Sequence, residues 1–307
     1  MSYNRYYRIK RFIQRMLIKA RKVSIPGFDR IPLYDVLLFF YKSIVNGSIT
    51  TRASAIAFSF FLALFPAIIF LFTLIPYIPV KNFQAELFLL IRDVLPSTTF
   101  VAVEETIQDI LTHQRGDLLS LGFFMALIFS TNGLVSMMNA FDASLHTVER
   151  RSWYEQRIIA VLLLFILCTL LTITIALIIA GQYAINYLDA YHLIGGHFNY
   201  YLLTIVKWVI VIALFFFTYS SLYFFAPTKK TRWRFISAGG TLATFLSIIV
   251  MIGFGYYITR FGQYNKLYGS IGTLLVVLLL FYIMSLILLV GFELNSSLNA
   301  ARRKRIR

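Results

Sequence analysis

Four polar side chains near the ends of apolar segments are the strongest candidates for chemistry in this sequence. Arg52 directly precedes one apolar segment, Asn139 lies near the end of another, and Glu293 and Asn295 close a third. An arginine and a carboxylate that meet in a partly dehydrated place form a strong, directional ion pair. We predict that the four residues form one polar cluster. It would act as a gate or head-group site, or it would only hold helix ends together.

The spacing along the chain places these residues at one level. Glu293 lies 23 residues after Ser270, which is ~35 Å along a straight helix. Asn139 lies 22 residues after Asp117, and Arg52 opens its own segment on the same side. Because a hydrocarbon core is ~30 Å thick, these positions correspond to the boundary of a membrane and not to its centre. The cluster is therefore predicted at one mouth of a helix bundle.

A second candidate site lies near the middle of two apolar segments. The stretch Ser130-Thr131-Asn132-Gly133 interrupts one of them, and Pro66 lies 13 residues into the other. Two irregular helices at one depth are typical of a midplane binding site, so Pro66 and Asn132 are candidates for its lining. The alternative is ordinary hydrogen bonding between helices, worth ~0.6 kcal/mol per bond in a membrane.

Small residues recur at helical spacing in the fifth apolar segment. Gly239, Ala243 and Ser247 are each four residues apart. Such a stripe lets two helices approach closely. We predict that these residues pack against another span of this chain or against a second copy of it.

The elements that must position all of these residues are membrane-spanning helices. Of the 307 residues, 59% are hydrophobic and only 14% are charged, whereas a soluble domain has ~25% charged residues. Apolar runs of ~20 residues can cross a bilayer as helices. The predicted fold class is therefore all-α, a polytopic membrane protein with six transmembrane helices. The predicted spans are about residues 53–78, 118–140, 158–181, 202–226, 235–259 and 270–294.

The remaining segments divide the chain into three parts. Residues 1–32 are predicted to form a basic amphipathic N-terminal arm on a membrane face, with a disordered arm as the alternative. Residues 33–300 form the membrane domain, which begins with a short interfacial helix in residues 33–45. Its outer loop, residues 79–117, has the apolar periodicity of two short amphipathic helices. Residues 301–307 are a basic C-terminal tail.

Lysine and arginine residues are divided unequally between the two sides of the predicted bundle. Of the 29, 23 lie in the terminal segments and in the second and fourth loops, five lie in the other loops, and Lys207 lies within a span. The positive-inside rule therefore predicts that both termini are cytoplasmic. Topology then explains most of the net charge of +16. The expected partners are membrane lipids, with anionic head groups at the basic cytoplasmic face, and no nucleic acid is expected.

No catalytic motif accompanies these features. The sequence has no P-loop, HExxH, GxSxG or CxxC pattern. Its one cysteine, Cys168, lies in an apolar run, which excludes a disulfide framework and a cysteine-based metal site. We therefore predict no catalytic residue, no metal and no cofactor. Six of the 13 acidic residues fall in the outer loop 79–117, where cytoplasmic RNA would not reach them.

The order and spacing of several short motifs resemble the YihY/BrkB family of bacterial inner-membrane proteins, once labelled ribonuclease BN-like. The resemblance covers roughly residues 33–300, so the arm 1–30 lies outside it. Two positions depart from the family pattern, because Phe58 stands where the family often has tyrosine and Phe292 where it usually has alanine. The motifs are residues 53–61, 65–66, 139, 149, 153–157, 226–227, 233, 239–240, 268–272 and 291–295.

The resemblance implies a six-span bundle in the inner membrane and no settled activity. Our first hypothesis is a translocator of an amphiphilic, anionic or lipid-like substrate. The alternative is a non-catalytic envelope scaffold that binds a partner through the outer helices, residues 82–113. A ribonuclease is the least supported hypothesis, because neither the motifs nor the predicted topology favours it.

Overall fold

The computed structural model describes most of the predicted spans and only parts of the connecting segments. The amphipathic helices predicted in residues 3–22 and 33–45 lie outside the described residues, apart from Tyr41, as do Trp233 and most of the outer loop 79–117. The described residues are 41, 48–77, 84–85, 88–89, 104, 108–109, 113–145, 151–190, 196–228, 235–261 and 264–306.

Helices make up all of the regular structure in these described segments, which contain no strand. Six of the helices there are long and apolar enough to cross a membrane. The predicted all-α fold with six transmembrane helices is therefore confirmed. The six are α1 (Ile49–Leu74), α2 (Gly116–Ser144), α3 (Trp153–Ala190), α4 (Gly196–Phe225), α5 (Ala238–Phe261) and α6 (Tyr264–Ile306).

Two of these helices are longer than the bilayer requires. Helix α3 has 38 residues and α6 has 43, which correspond to ~57 and ~65 Å. The basic tail predicted as a separate segment from residue 301 continues α6 as far as Ile306. The last helix therefore carries its cationic end beyond the apolar span, which ends at Ala301.

The interruption predicted in the second span is wrong, because α2 runs through residues 130–133 without a break. The Thr131 hydroxyl donates to the carbonyl oxygens of Leu127 and Ile128 in its own helix, at 2.8 and 2.9 Å. Serine and threonine can satisfy themselves in this way inside a helix. Polar residues in mid-span were therefore insufficient to predict a helix break.

The described chain falls into two compact units, of which the smaller comprises Phe58–Gly133. Within it, the later part of α1 packs on the earlier part of α2. The rings of Phe70 and Phe123 lie 5.6 Å apart, and a side chain added at Gly122 would meet the Phe70 backbone at 3.2 Å. The small residues of α2 therefore allow close packing against α1 here.

The larger unit comprises Met1–Ala57 and Leu134–Arg307, and its helices α4, α5 and α6 are joined by small residues. A Cβ atom added to Gly239 of α5 would overlap the carbonyl oxygen of Gly291 in α6. Ala243 lies beside the same glycine. Ser247, one turn further along, is hydrogen-bonded to the Tyr219 hydroxyl of α4 at 2.6 Å. The stripe of small residues thus packs against α6 and α4, two other spans of the same chain.

Replacement of Gly239 by alanine is expected to destabilise the bundle by ~1–3 kcal/mol, because the new methyl group meets backbone that cannot move aside. The matched control is Gly253→Ala on the same helix, where an added Cβ meets nothing within 4 Å. Thermal unfolding in detergent, followed by tryptophan fluorescence, should show a lower melting temperature for Gly239→Ala only. Equal melting temperatures for the two variants would contradict the close approach of α5 and α6.

Candidate functional site

The larger unit contains a buried ion pair between its first and last spans. The Arg52 Nη2 atom of α1 lies 3.1 Å from the Glu293 Oε1 atom of α6. The Glu293 side chain is 0% exposed, and that of Arg52 is 13% exposed. Charged groups in spanning helices are rare and are usually paired. The structure thus brings together two of the four residues of the predicted cluster.

Arg52 is also held by the end of α2. Its Nη1 atom donates to the Ala140 carbonyl oxygen at 2.8 Å and to the Ser144 hydroxyl oxygen at 2.5 Å. The Ser144 hydroxyl in turn donates to the Ala140 carbonyl at 3.1 Å. The carbonyl groups at a helix C-terminus carry partial negative charge, which favours a cation there. One guanidinium therefore joins α1, α2 and α6.

Local structure places Arg52 at the start of its helix. Ser48 adopts a left-handed conformation with φ of 45°, directly after Asn46-Gly47. Helix α1 then begins at Ile49, and the Arg52 backbone N–H donates to the Ser48 carbonyl at 3.2 Å. The arginine is thus in the first turn of α1, and the Ala140 carbonyl and Ser144 hydroxyl that receive it lie within the last five residues of α2.

Aromatic contacts fix the rotation of α6 so that Glu293 is directed towards Arg52. The ring of Phe292 stacks on that of Phe141 in α2, with centroids 3.9 Å apart and planes within 5°. The Tyr223 hydroxyl of α4 donates to the Leu288 carbonyl oxygen of α6 at 2.8 Å. Phe141, Tyr223 and Phe292 are all fully buried, so α6 cannot turn without disrupting this packing.

Asn295 lies two residues beyond Glu293 but has a different role. Its Oδ1 atom accepts a hydrogen bond from the Gly239 N–H at 2.8 Å, and its Nδ2 atom donates to the Ser237 hydroxyl at 2.9 Å. The first N–H groups of a helix have no partner within the helix. Asn295 therefore caps α5 from the neighbouring helix α6.

Asn139 lies apart from the ion pair, on an exposed face of α2. Its Oδ1 atom accepts a hydrogen bond from the Gln156 Nε2 atom of α3 at 2.6 Å. The predicted four-residue cluster is therefore distributed over three contacts at the same end of the larger unit: the Arg52–Glu293 pair, the Asn295 cap and the Asn139–Gln156 pair.

A polar connection that the sequence interpretation missed joins the end of α2, the residue before Ser152 and the segment after α4. The Arg151 guanidinium donates to the carbonyl oxygens of Ala226 and Pro227, each at 2.7 Å. The Asp142 carboxylate accepts from the Thr228 N–H at 2.9 Å and from its hydroxyl at 2.5 Å. Burial lowers the pKa of Arg151, and the nearby carboxylates, first Asp142, oppose that shift. The segment after α4 is therefore held by residues on both sides of the loop between α2 and α3.

One sequence signal did mark the beginning of α3. Ser152 and Glu155 have the spacing of a capping box, and the structure forms it. The Ser152 N–H donates to the Glu155 carboxylate at 3.2 Å, and the Glu155 N–H donates to the Ser152 hydroxyl at 3.4 Å. This motif could have placed the neighbouring Arg151 directly before a helix, although not against the carbonyl groups that it binds.

The two residues of the predicted midplane site lie in the smaller unit. Pro66 is half-buried inside α1, and Asn132 is exposed on α2. The neighbours of Asn132, Thr131 and Gly133, are buried, and a Cβ added to Gly133 would lie 2.9 Å from the Phe60 ring. The buried face of this stretch is thus a helix-packing surface, and Asn132 points elsewhere.

Metal ligands are not grouped in the part of the chain that the structure describes. No cluster of three or more histidine, cysteine or acidic residues suitable for a metal ion occurs there. The described carboxylates already noted have protein partners, which are Arg52 for Glu293 and Thr228 for Asp142.

The fold and the site together define a multi-pass helical membrane protein whose spans are linked by a buried ion pair. The chain belongs to the BrkB family, because the family model described as "Virulence factor BrkB" matches residues 40–307. The resemblance seen in the sequence is confirmed, and the family and the six candidate spans are consistent with the bacterial inner membrane.

The similar proteins have descriptions of two kinds. Protein YfkH of Bacillus subtilis, described as ribonuclease-like, is 28% identical over 259 residues, which are 82% of this chain and 91% of that protein. A UPF0761 membrane protein of Aliivibrio salmonicida is 24% identical, over 86% of this chain and 83% of its own. Another, from Xanthomonas euvesicatoria, is 24% identical over 97% of this chain and 66% of its own. No solved structure matches the chain.

Removing one partner of the ion pair is expected to lower the stability of the folded protein more when Arg52 is replaced than when Glu293 is replaced. Arg52→Gln leaves a completely buried carboxylate without its ion-pair partner, which should cost ~3–5 kcal/mol. Glu293→Gln leaves Arg52 with Ala140 and Ser144 and some access to water, so its effect should be smaller. Thermal unfolding of Arg52→Gln, of Glu293→Gln and of the variant that carries both changes measures the interaction energy between Arg52 and Glu293.

The double variant is expected to be more stable than Arg52→Gln alone, since it no longer buries a charge. The control is Arg115→Gln, which removes an exposed ion pair with Asp109 and should change stability little. Strictly additive effects of the two single changes would contradict a direct interaction between Arg52 and Glu293.

Proposed function

We propose that this protein moves an anionic, amphiphilic or lipid-like compound across the bacterial inner membrane, and that the Arg52–Glu293 pair closes its path at one end. The observation that carries this proposal is the burial of an ion pair within spanning helices, at 0% and 13% side-chain exposure. Ionisable residues inside a membrane protein are costly and concentrate in substrate and ion pathways.

The arrangement around Arg52 supports exchange of its anionic partner. The substrate's negative group would compete with the Glu293 carboxylate for the guanidinium. Meanwhile Ala140 and Ser144 hold the other side of the guanidinium through hydrogen bonds that need no anion. Arg52 would thus stay at the mouth of the bundle while α6 is released from it. The distribution of basic residues supports a cytoplasmic position for this mouth.

The partners of the protein follow from the same charge distribution. Four basic residues in the last turns of α6, positions 302–305, follow its apolar span. Basic segments directly beyond a spanning helix attract anionic head groups. We therefore propose contacts with anionic lipids at this face. The small-residue stripe Gly239, Ala243 and Ser247 is used within the chain, so it offers no argument for a homo-oligomer.

We further propose that the protein is not an enzyme. General acid–base cleavage needs a carboxylate or histidine within hydrogen-bond reach of its substrate. Glu293 is fully buried and paired with Arg52, which makes it unsuited to that role. The description of YfkH as ribonuclease-like is a statement about that protein.

A structural role in the envelope is the second candidate, and one observation favours it. The close approach of Gly239 to Gly291 and the stacked rings of Phe141 and Phe292 make this end of the bundle tightly packed. Interiors packed in this way resist rearrangement. In a scaffold, the ion pair would only fix the register of the helices, and no compound would pass.

Transport can be tested with purified protein in vesicles of phosphatidylglycerol and phosphatidylcholine that contain a trace of fluorescent NBD-phosphatidylglycerol. Dithionite reduces only the NBD groups on the outer leaflet, so movement from the inner leaflet appears as further loss of fluorescence. We expect faster loss with the wild-type protein than in protein-free vesicles. Arg52→Gln should return it to the protein-free rate, whereas Arg115→Gln should leave it unchanged.

Two outcomes would overturn the proposal. Wild-type protein that never exceeds the protein-free rate would favour the scaffold for this class of compound. Equal rates for the wild type, Arg52→Gln and Glu293→Gln would show that Arg52 and Glu293 do not control the path. Glu293→Gln is included because it conserves the shape of the site. It therefore keeps the proposal testable if Arg52→Gln does not fold.

A further inference from the structure

Helices α4 and α5 of the larger unit share a buried seam that is lined by hydroxyl groups. The Tyr219 hydroxyl of α4 is hydrogen-bonded to Ser247 of α5 at 2.6 Å, and both residues are buried. Nearer the start of α5, a Cβ atom added to Gly240 would lie 3.5 Å from the Ser220 hydroxyl oxygen of α4. These two contacts define the α4–α5 seam, which runs ~10 Å along α5.

One hydroxyl group in this seam lacks a hydrogen bond. Ser220 is 1% exposed, and its Oγ atom has no hydrogen-bond partner within the described part of the chain. Serine and threonine inside a helix can bond to a carbonyl group of the preceding turn, as Thr244 does with Gly240 at 2.8 Å. A buried hydroxyl without any partner has lost its hydration and gained nothing in return. The closed seam is therefore destabilised at Ser220.

The surroundings of Ser220 suit water better than apolar packing. Outside its own helix backbone and its chain neighbours, a Cβ added to Gly240 would meet only the hydroxyl oxygens of Ser237 and Ser220 within 4 Å. Thr244 adds a buried hydroxyl on the same side of α5, because residues four apart share a helix face. Water inside proteins binds to two to four polar groups. The seam offers such groups in succession from Ser237, directly before α5, to Ser247.

The contact of α5 with α6 is closed more tightly. The Gly239 N–H donates to Asn295 at 2.8 Å, and a Cβ added to Gly239 would overlap the Gly291 carbonyl oxygen. Opening there would break this cap and a direct contact between backbones. Opening between α4 and α5 instead exposes hydroxyl groups that water can satisfy. The α4–α5 seam is thus the less costly entry for water.

We propose that water enters the larger unit along the α4–α5 seam, from the start of α5 to the level of Ser247. The Ser220 hydroxyl favours this opening, because it gains a hydrogen-bond partner only when water is present. The hydrogen bond between Tyr219 and Ser247 marks the inner end of the hydrated seam. This inference does not rest on the proposed transport, because water enters the seam in a scaffold as well.

The test measures how fast a cysteine in the seam reacts with N-ethylmaleimide in protein reconstituted into phospholipid vesicles. The reagent reacts with the thiolate, a charged form that requires water. The reporter is Thr244→Cys in full-length protein that also carries Cys168→Ser, which removes the native thiol. Thiols that remain are labelled with a polymer-linked maleimide after denaturation and counted on a gel.

The matched control is Ala160→Cys in the same Cys168→Ser protein. Ala160 is 0% exposed and lies seven residues after the start of α3, and Thr244 lies six residues after the start of α5. We expect Thr244→Cys to react about tenfold faster than Ala160→Cys. Equal rates would show that the seam stays closed, and they would overturn the proposal.

A second change tests the role of Ser220 in the opening. Ser220→Ala, added to the reporter protein, removes the unpartnered hydroxyl with little change in volume, so the reporter thiol should react more slowly, near the control rate. Thr174→Val removes a buried hydroxyl of α3 that is bonded within its own helix, and it should leave the reporter rate unchanged. An unchanged rate in Ser220→Ala would contradict the role of this hydroxyl.

A deeper reporter keeps the test decisive if Thr244→Cys does not fold. Ser247→Cys lies at the inner end of the seam, one turn further along α5. We expect it to react faster than Ala160→Cys, although Ala160 is closer to the start of its helix. A reaction slower than that of Ala160→Cys would show that water does not reach this level.

Discussion

The need to satisfy a guanidinium away from water constrains the whole end of this bundle. The two terminal nitrogens of the Arg52 side chain find acceptors on two other helices, near the C-terminal end of α2 and at Glu293 of α6. A shift of any of the three helix ends would remove a hydrogen-bond or ion-pair partner of this charge, and such losses are large in a low dielectric. Arg52 therefore fixes the ends of α1, α2 and α6 relative to one another within the larger unit.

The five consecutive residues Gly291 to Asn295 of α6 extend this constraint to α5, through contacts made by four of them. Gly291 admits the backbone of α5, Phe292 stacks on α2, Glu293 binds α1, and Asn295 caps α5. All five are buried. Since successive residues of a helix point ~100° apart, neighbouring positions on α6 reach different partners, which lie on α1, α2 and α5.

The sequence predicted how far along its span each of these residues lies better than it predicted the side of the helix from which the residue points. Apolar run length gave the six spans, and counting along them brought Arg52 and Glu293 to one level, where the structure joins them. The same count grouped Asn139 with them, yet Asn139 binds Gln156 on α3, because height does not determine rotation about the helix axis. The acceptors on Ala140, Ala226 and Pro227 are backbone carbonyls, which residue types cannot reveal. The stretch 130–133 resembles a break in the sequence, because residue types alone do not show that the Thr131 hydroxyl bonds to carbonyl groups of its own helix.

The most direct test of the central interaction is a distance measurement in lipid bilayers by solid-state NMR. Protein with ¹⁵N-labelled arginine side chains and ¹³C-labelled glutamate carboxyl groups would be examined by rotational-echo double resonance. The account predicts a dipolar dephasing between the Arg52 Nη2 nitrogen and the Glu293 carboxyl carbon, as the 3.1 Å contact between Nη2 and Oε1 requires, and predicts that this dephasing disappears in Arg52→Gln. Dephasing that is absent from the wild type, or that persists unchanged in Arg52→Gln, would contradict it.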